Sequence, residues 1–165
     1  MNIFVLNDNP IQAAQEHSDK LVNKMLIESC QLMSYTHILM GSAMLGHVYR
    51  RNKGHLKHPC TFWLQESRAN YIWCYEFTCE LYAEFRRRYG KTHLTGEETL
   101  PALEVIPPGY TSNARTRFAL SMPEEFKQDD AVNAYQNYYA SKWYIPDDYN
   151  RAPMPEWLAT KLGFF

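Results

Sequence analysis

The sequence predicts a mainly α-helical single domain with a long N-terminal helix, a central aromatic helix and an irregular C-terminal tail. Three observations favour this fold. Apolar residues recur at three- and four-residue steps over long segments, helix-capping residues stand before those segments, and glycines follow them. A chain of 165 residues is close to the usual size of one domain, so we expect residues 1–165 to share a single core.

The first predicted helix follows a short β-prone run. Residues 2–6 read Asn-Ile-Phe-Val-Leu and favour an extended conformation. Asn9 and Pro10 are typical of a helix N-cap and a first helical residue. An apolar stripe then predicts one helix from Pro10 to about Met40, closed by Gly41.

Two further helices are predicted in the middle of the chain. His58 and Pro59 stand before the first, which runs from Cys60 to about Arg68. The next is predicted over 69–89 and is stopped by Gly90. Because this helix is apolar nearly all round, we expect it to lie at the centre of the fold.

The remaining segments are predicted to be less regular. Residues 41–57 are expected to form a mobile loop or short helices, and residues 92–116, which contain several prolines, an irregular crossing of the surface. The sequence from Ser121 to Glu124 is typical of a capping box before a short helix, and Asp129-Asp130 can cap another helix that continues to about Ala140. The aromatic residues of the tail are expected to pack back onto the helices: Trp143, Tyr144, Trp157, Phe164 and Phe165.

Several functional classes are disfavoured by what the sequence lacks. No apolar run of about 18 residues is present and no basic leader precedes residues 2–6, so we expect a cytoplasmic protein with no membrane partner. The four cysteines form no CxxC pair and are expected to be reduced buried thiols. Phosphate-binding glycine loops and nucleophile elbows are absent, which gives no support to a kinase, a nucleotide dehydrogenase or a serine hydrolase, and no cofactor is expected.

The histidine pair His55 and His58 is an improbable metal site, because no cysteine or carboxylate follows at a ligand spacing. His58 is instead expected to cap the helix after it, or to contact a phosphate.

Charge is distributed unevenly along the chain. The net charge is −1, but Arg50 to Lys91 holds nine basic residues against four acids, and Glu124 to Glu156 holds seven acids against three bases. The basic middle could attract phosphate. Two ordinary solvated surfaces would give the same pattern, so both interpretations stay open.

One polar face of the first helix is the main candidate for a functional site. At about 100° per residue, five side chains fall within an arc of roughly 80° beside the apolar stripe: His17, Lys20, Lys24, Glu28 and Gln31. A half-sheltered lysine or glutamate can have its pKa shifted and can contact a ligand. The alternative is an ordinary salt-bridged helix face, since Lys24 and Glu28 are an i, i+4 pair.

Four motifs together resemble one known family. They are M-x-x-F at the start, D-K-L-x-x-K-x-x-x-E-x-x-Q from Asp19 to Gln31, H-P-x-x-x-W from His58 to Trp63, and R-R-Y-G from Arg87 to Gly90. Over about residues 1–93 the chain resembles the phage and bacterial proteins described as pyrimidine dimer DNA glycosylase-like, after phage endonuclease V.

This resemblance implies a compact helical protein that binds duplex DNA, flips out a nucleotide and cuts the glycosidic bond through an N-terminal amine. The amine would then be that of Met1 and the essential carboxylate that of Glu28, with Lys24 beside them in the catalytic set. The remaining candidates would hold phosphate or other parts of the substrate: His17, Lys20, Gln31, Arg50, Arg51, Lys53, Lys57 and His58.

Two functions of other classes stay open. A non-catalytic phage accessory or anti-defence protein could use the same pocket to bind a nucleotide, nucleic acid or a host protein. A structural protein could pack its aromatic tail against a partner. A glycosylase-lyase needs both a free α-amine and Glu28, a binding protein needs the pocket alone, and a structural protein needs neither.

Overall fold

The chain folds into α-helices joined by irregular segments, in a computed structural model that describes residues 2–42 and 56–165. These residues form seven α-helices and no β-strand, which confirms the predicted mainly α fold. The helices are α1 Pro10–Gln15, α2 Asp19–Leu39, α3 Pro59–Glu66, α4 Arg68–Tyr89, α5 Leu94–Glu98, α6 Ala131–Ala140 and α7 Glu156–Lys161, with short 3-10 helices at Pro101–Glu104 and Glu124–Phe126.

Helices α2 and α4 lie at the centre of the molecule. They pack against each other, α1 packs on α4, and α3 contacts both. Their buried apolar side chains belong to one continuous cluster that includes Trp63, Tyr71 and Phe77. The central position predicted for the aromatic helix is therefore confirmed. None of the helices in the described residues is long and apolar enough to cross a membrane.

Local capping residues set several helix ends at the predicted places. The Asn9 side chain accepts two backbone hydrogen bonds at the start of α1, and the His58 ring accepts one at the start of α3. Asp130 caps α6 in the same way. Helix α4 ends at Gly90, whose φ of 65° lies in the left-handed region that favours glycine.

The predicted single helix from Pro10 to Met40 is interrupted at residues 16–18, so this prediction was wrong. The cause is a side chain from another helix. The Arg88 guanidinium donates hydrogen bonds to the backbone carbonyls of Gln15 at 2.9 Å and His17 at 2.6 Å. Because these carbonyls accept hydrogen bonds from Arg88, they need no donor from a further helical turn, and the helix can end before α2 begins.

The chain start is a buried segment and forms no strand with the rest of the described chain. Residues 2–6 are each at most 6% exposed. The Asn2 carboxamide oxygen accepts hydrogen bonds from the backbone nitrogens of Ile3 and Phe4. Phe4 has a φ of 47°, which is uncommon for a residue with a bulky side chain. The Phe4 side chain is 4% exposed.

Other irregular segments also differ from their predictions. Residues 92–116 contain α5 and a 3-10 helix, and the tail contains α7. Ser121 does not cap the short helix that follows it, which has no side-chain cap. Trp143 and Phe165 are 87% and 86% exposed, so the tail aromatics pack back only in part. Most of the loop predicted to be mobile, residues 43–55, lies outside the described residues.

The C-terminal tail is fastened to the start of α2 by two aspartates. Oδ2 of Asp19 accepts hydrogen bonds from the backbone nitrogens of Asn150 and Arg151, each at 2.9 Å. Asp148, in the tail, accepts two hydrogen bonds from the start of α2. Its backbone carbonyl accepts one from the Asp19 backbone nitrogen and its carboxylate accepts one from the Lys20 backbone nitrogen, both at 2.9 Å. The N-terminus of α2 is thereby capped by the tail.

Candidate functional site

Helix α2 presents a polar face that carries four of the five predicted side chains. Lys20, Lys24, Glu28 and Gln31 follow one another at steps of four, four and three residues, so they lie along one side of the helix. Lys20 is exposed and Gln31 is half-buried. The Lys24 side chain is 59% exposed and that of Glu28 only 14%. The exposure of the side chains on this face therefore falls from the two lysines to Glu28, which is sheltered from solvent.

His17 does not belong to this face, which corrects the ligand-binding role predicted for it. The residue precedes α2 and is 0% exposed. Its Nδ1 lies 2.6 Å from the Ala13 carbonyl oxygen, and its ring packs 5.4 Å from Phe77 and 5.8 Å from Tyr139 between ring centroids. Burial lowers the pKa of His17 to about 3. His17 is a neutral core residue.

Glu28 binds the start of the chain. Its Oε2 accepts a hydrogen bond from the backbone nitrogen of Asn2 at 2.8 Å. Its other oxygen, Oε1, lies 3.8 Å from Nζ of Lys24. A carboxylate that binds an N–H and a cation in a sheltered position makes stronger electrostatic interactions than one in water. Met1 itself lies outside the described residues.

Asn2 connects this carboxylate to a distant loop and to α3. Its side-chain nitrogen donates to the Ser121 carbonyl at 2.6 Å, and the Ser121 hydroxyl lies 3.2 Å from Nε2 of His58. Because Nδ1 of His58 accepts from the Cys60 backbone nitrogen, the neutral ring carries its proton on Nε2 and donates it to Ser121. His58 therefore caps α3, as predicted, and also contacts the loop that holds Asn2.

A cation and two aromatic rings stand beside the chain start. The Phe4 and Tyr138 rings stack with centroids 5.7 Å apart. Nζ of Lys142 lies 4.1 Å from the Tyr138 centroid and 5.5 Å from that of Phe4. Such cation–π contacts hold a lysine in place while leaving its charge able to meet an anion. Sequence reasoning did not identify Lys142, which follows α6 without any motif.

Trp143 and Tyr144 follow Lys142 in the chain, and their rings contact each other. Their centroids are 5.8 Å apart with an edge-to-face geometry. Burial raises the pKa of the Tyr144 phenol, and the Asp148 carboxylate and, less strongly, the Glu28 carboxylate add to this rise.

The basic middle of the chain is only partly available to a ligand. The Arg88 side chain is 2% exposed and is bonded to Asp19 and Glu84. Arg87 pairs with Glu84 as well. Lys57 is exposed and adjoins His58 in the sequence. Three predicted phosphate-binding residues lie outside the described part of the chain: Arg50, Arg51 and Lys53.

The cysteines are free thiols, as predicted. Three are buried and Cys79 is half-buried. Burial raises the pKa of Cys60 to about 12 and also raises that of Cys74, so these thiols are poor nucleophiles at neutral pH. Within residues 2–42 and 56–165, no three histidine, cysteine or acidic side chains come together as possible metal ligands.

Comparison of the chain with protein families, with curated proteins and with solved structures finds no match.

Proposed function

We propose that this protein is a DNA glycosylase with AP-lyase activity, in which the amine of residue 1 is the nucleophile and Glu28 the essential carboxylate. The observation that carries the proposal is the 2.8 Å hydrogen bond between the Asn2 backbone nitrogen and the Glu28 carboxylate. One residue spans at most about 3.6 Å of chain. The amine that the reaction requires is therefore one residue's length from a nitrogen that Glu28 already binds.

An α-amine suits this reaction better than a lysine side chain does. The ordinary pKa of an α-amine is about 8, whereas that of a lysine amine is about 10.4. A much larger fraction of α-amines is consequently neutral and nucleophilic at physiological pH. The chain start reaches a sheltered carboxylate, while Lys24 and Lys20 remain on the exposed part of the face.

The proposed reaction has two stages, loss of the base and cleavage of the strand. The neutral amine attacks C1′ of an extruded nucleotide, the bond from C1′ to the base nitrogen breaks, and the base leaves with the bonding electrons and is protonated. Opening of the sugar ring, with a proton going to its oxygen, gives a Schiff base between the amine nitrogen and C1′. Removal of a proton from C2′ then expels the 3′ phosphate by β-elimination, and water releases the sugar from the enzyme.

Glu28 has two tasks in this scheme. Its carboxylate accepts the proton that the amine loses on attacking C1′, and it stabilises the positive charge that develops on the sugar and on the Schiff base. Nζ of Lys24 lies 3.8 Å from Oε1 of Glu28, and most of the lysine side chain is in solvent. Lys24 can therefore move to a phosphate of the bound DNA. Lys20 and Gln31 lie one turn to either side of this pair and contact the DNA backbone next to the target nucleotide.

Replacement of Glu28 by glutamine tests this assignment. Glu28→Gln keeps an oxygen that can accept the Asn2 N–H but removes the charge. We expect cleavage of a duplex oligonucleotide with a single abasic site to slow by about a hundredfold or more, with an unchanged circular dichroism spectrum and melting temperature. Glu98→Gln, at an exposed glutamate of α5, is the matched control and should cleave at the wild-type rate.

Cleavage by Glu28→Gln at the wild-type rate would contradict the role of this carboxylate. A wild-type protein that binds the duplex tightly but never cleaves it would support a non-catalytic binding protein instead.

A further inference from the structure

Trp143 is the most exposed large apolar side chain in the described part of the chain, at 87%. It follows the C-terminus of α6. The Tyr144 ring stands perpendicular to it, with an interplanar angle of 88°. At 87% exposure most of the indole surface is left to solvent, and a ring in this position adds little to the core.

The position of Trp143 relates it to the site around Glu28. Lys142, the preceding residue, lies over the Phe4 and Tyr138 rings, and Phe4 is two residues from Asn2. The backbone nitrogen of Asn2 is the donor that binds the Glu28 carboxylate. The Lys142 ammonium therefore lies beside the segment that Glu28 holds, and the exposed indole is the next residue along the chain.

A glycosylase must take its target nucleotide out of the base stack, which leaves an unstacked base or a gap in the duplex. Aromatic side chains stack on bases of any sequence because every base has a π-face. A cation next to such a ring can contact the phosphate of the same nucleotide. This pairing of an open ring with a lysine fits a nucleotide better than an apolar protein surface, which would leave Lys142 without an anionic partner.

We infer that Trp143 stacks on a nucleobase of bound duplex DNA and so stabilises the opened helix next to Glu28. The inference rests on the proposed function, and it adds a DNA-contacting residue outside the polar face of α2. Trp143 contacts the substrate without taking part in proton transfer, so its loss weakens binding more than it alters chemistry.

The test uses a duplex oligonucleotide that contains a tetrahydrofuran abasic-site analogue, which cannot form a Schiff base. We expect Trp143→Ala to bind this duplex about ten- to hundredfold more weakly than wild type, as loss of one stacking ring predicts. Trp143→Phe, which keeps a ring, should recover most of the affinity. Phe165→Ala, which removes an equally exposed ring (86%) at the end of the chain, is the matched control and should bind as wild type does.

Tryptophan fluorescence gives a second readout in the same titration. Trp63 and Trp73 are 1% and 5% exposed and Trp157 is half-buried, so quenching by DNA should come mainly from Trp143 and should fall sharply in Trp143→Phe. Equal affinity and equal quenching in wild type and Trp143→Ala would overturn the stacking role, while cleavage by the wild type would leave the proposed chemistry intact. A wild-type protein that neither binds this duplex nor cleaves at an abasic site would overturn both.

Discussion

His17 and Glu28 lie in opposite environments although the sequence places both on one helical face. The prediction assumed a continuous helix, which would bring His17 into line with Lys24 and Glu28. The interruption at residues 16–18 instead directs His17 into the core, where it is 0% exposed. Glu28 keeps its predicted place because α2 is regular around it. Local periodicity is therefore sufficient to predict on which face of the helix Glu28 lies, but it does not predict the position of His17.

The buried neutral state of His17 predicts an acid-sensitive fold. The pKa of about 3 in the folded protein lies below the ordinary value of 6.5, so the unfolded chain binds a proton as pH falls through 6.5 while the folded chain does not. The stability contribution is complete above pH 6.5 and is lost between pH 6.5 and 3. By pH 5 this one group should lower the free energy of unfolding by about 2 kcal/mol.

His17→Asn isolates this effect, because an asparagine amide can donate to the Ala13 carbonyl in place of Nδ1 but does not titrate. Urea unfolding at pH 7, 6 and 5 should show wild type losing stability more steeply than the variant. Parallel curves for the two proteins over this range would mean that His17 is protonated equally in the folded and unfolded states.

The residues that join Glu28 to the rest of the site could not be identified from local sequence. Asn2 contacts Ser121, which is 119 residues away in the sequence, and Ser121 contacts His58, which is 63 residues away. Ser121 was interpreted as a helix cap because serine is common in that role, yet its partner is a histidine of another segment. Such contacts depend on how elements pack, which no short-range pattern encodes.

At the scale of single helices, the helix ends that depend on neighbouring residues in the sequence were predicted well. Asn9, His58 and Asp130 cap the helices that follow them. The interruption before α2 was missed because its cause, Arg88, lies on α4. Helix α7 was also missed, since the proline-rich sequence before it favours irregular chain.

The end of α4 offers a direct test of backbone conformation. Gly90 has a φ of 65°, and a Cβ added there would meet no atom within 4 Å. Any cost of Gly90→Ala therefore comes from the left-handed conformation alone, and we expect a loss of about 1 kcal/mol in the free energy of unfolding. Gly90→Asn should lose less, because asparagine tolerates this region. Urea titration of the three proteins measures both values, and equal stability of all three would contradict the assigned backbone geometry.

At the scale of the whole molecule, the side chain of Arg88 ties three parts of the chain together. It donates to the carbonyls of Gln15, at the end of α1, and of His17, before α2, and it pairs with Glu84 on its own helix. It also binds Asp19 at 3.2 Å, and Asp19 in turn holds the tail through the backbone of Asn150. Removal of the arginine would leave the buried Asp19 carboxylate without its cation and would take one of two arginine partners from Glu84.

Arg88→Met keeps the apolar stem of the side chain but removes its charge and hydrogen bonds. We expect it to lower the free energy of unfolding by about 3–5 kcal/mol, as loss of one partner of a buried ion pair does. Arg86→Met, at an exposed arginine of the same helix, should change stability by about 0.5 kcal/mol or less. Similar stabilities of the two variants in urea titrations would show that the buried network contributes little.

The helical class of the molecule was predictable, whereas the packing of its parts was not. Helical periodicity and composition indicated helices with one core. They did not indicate that the chain start would be buried against α2, or that the tail would cap that helix through Asp148. Opposite charges in the basic middle neutralise one another in the fold, as Arg87 does with Glu80 and Glu84, so charge counts overstated the basic surface.

The central claim is that an amine at the chain start reacts with DNA next to Glu28, and borohydride trapping tests it most directly. The purified protein, shown by mass spectrometry to carry a free α-amine at residue 1, is mixed with borohydride and a duplex that contains an abasic site. We predict a covalent adduct that maps to the N-terminal peptide and is lost when the α-amine is acetylated. No adduct from the unblocked protein, or one that survives acetylation, would contradict the claim.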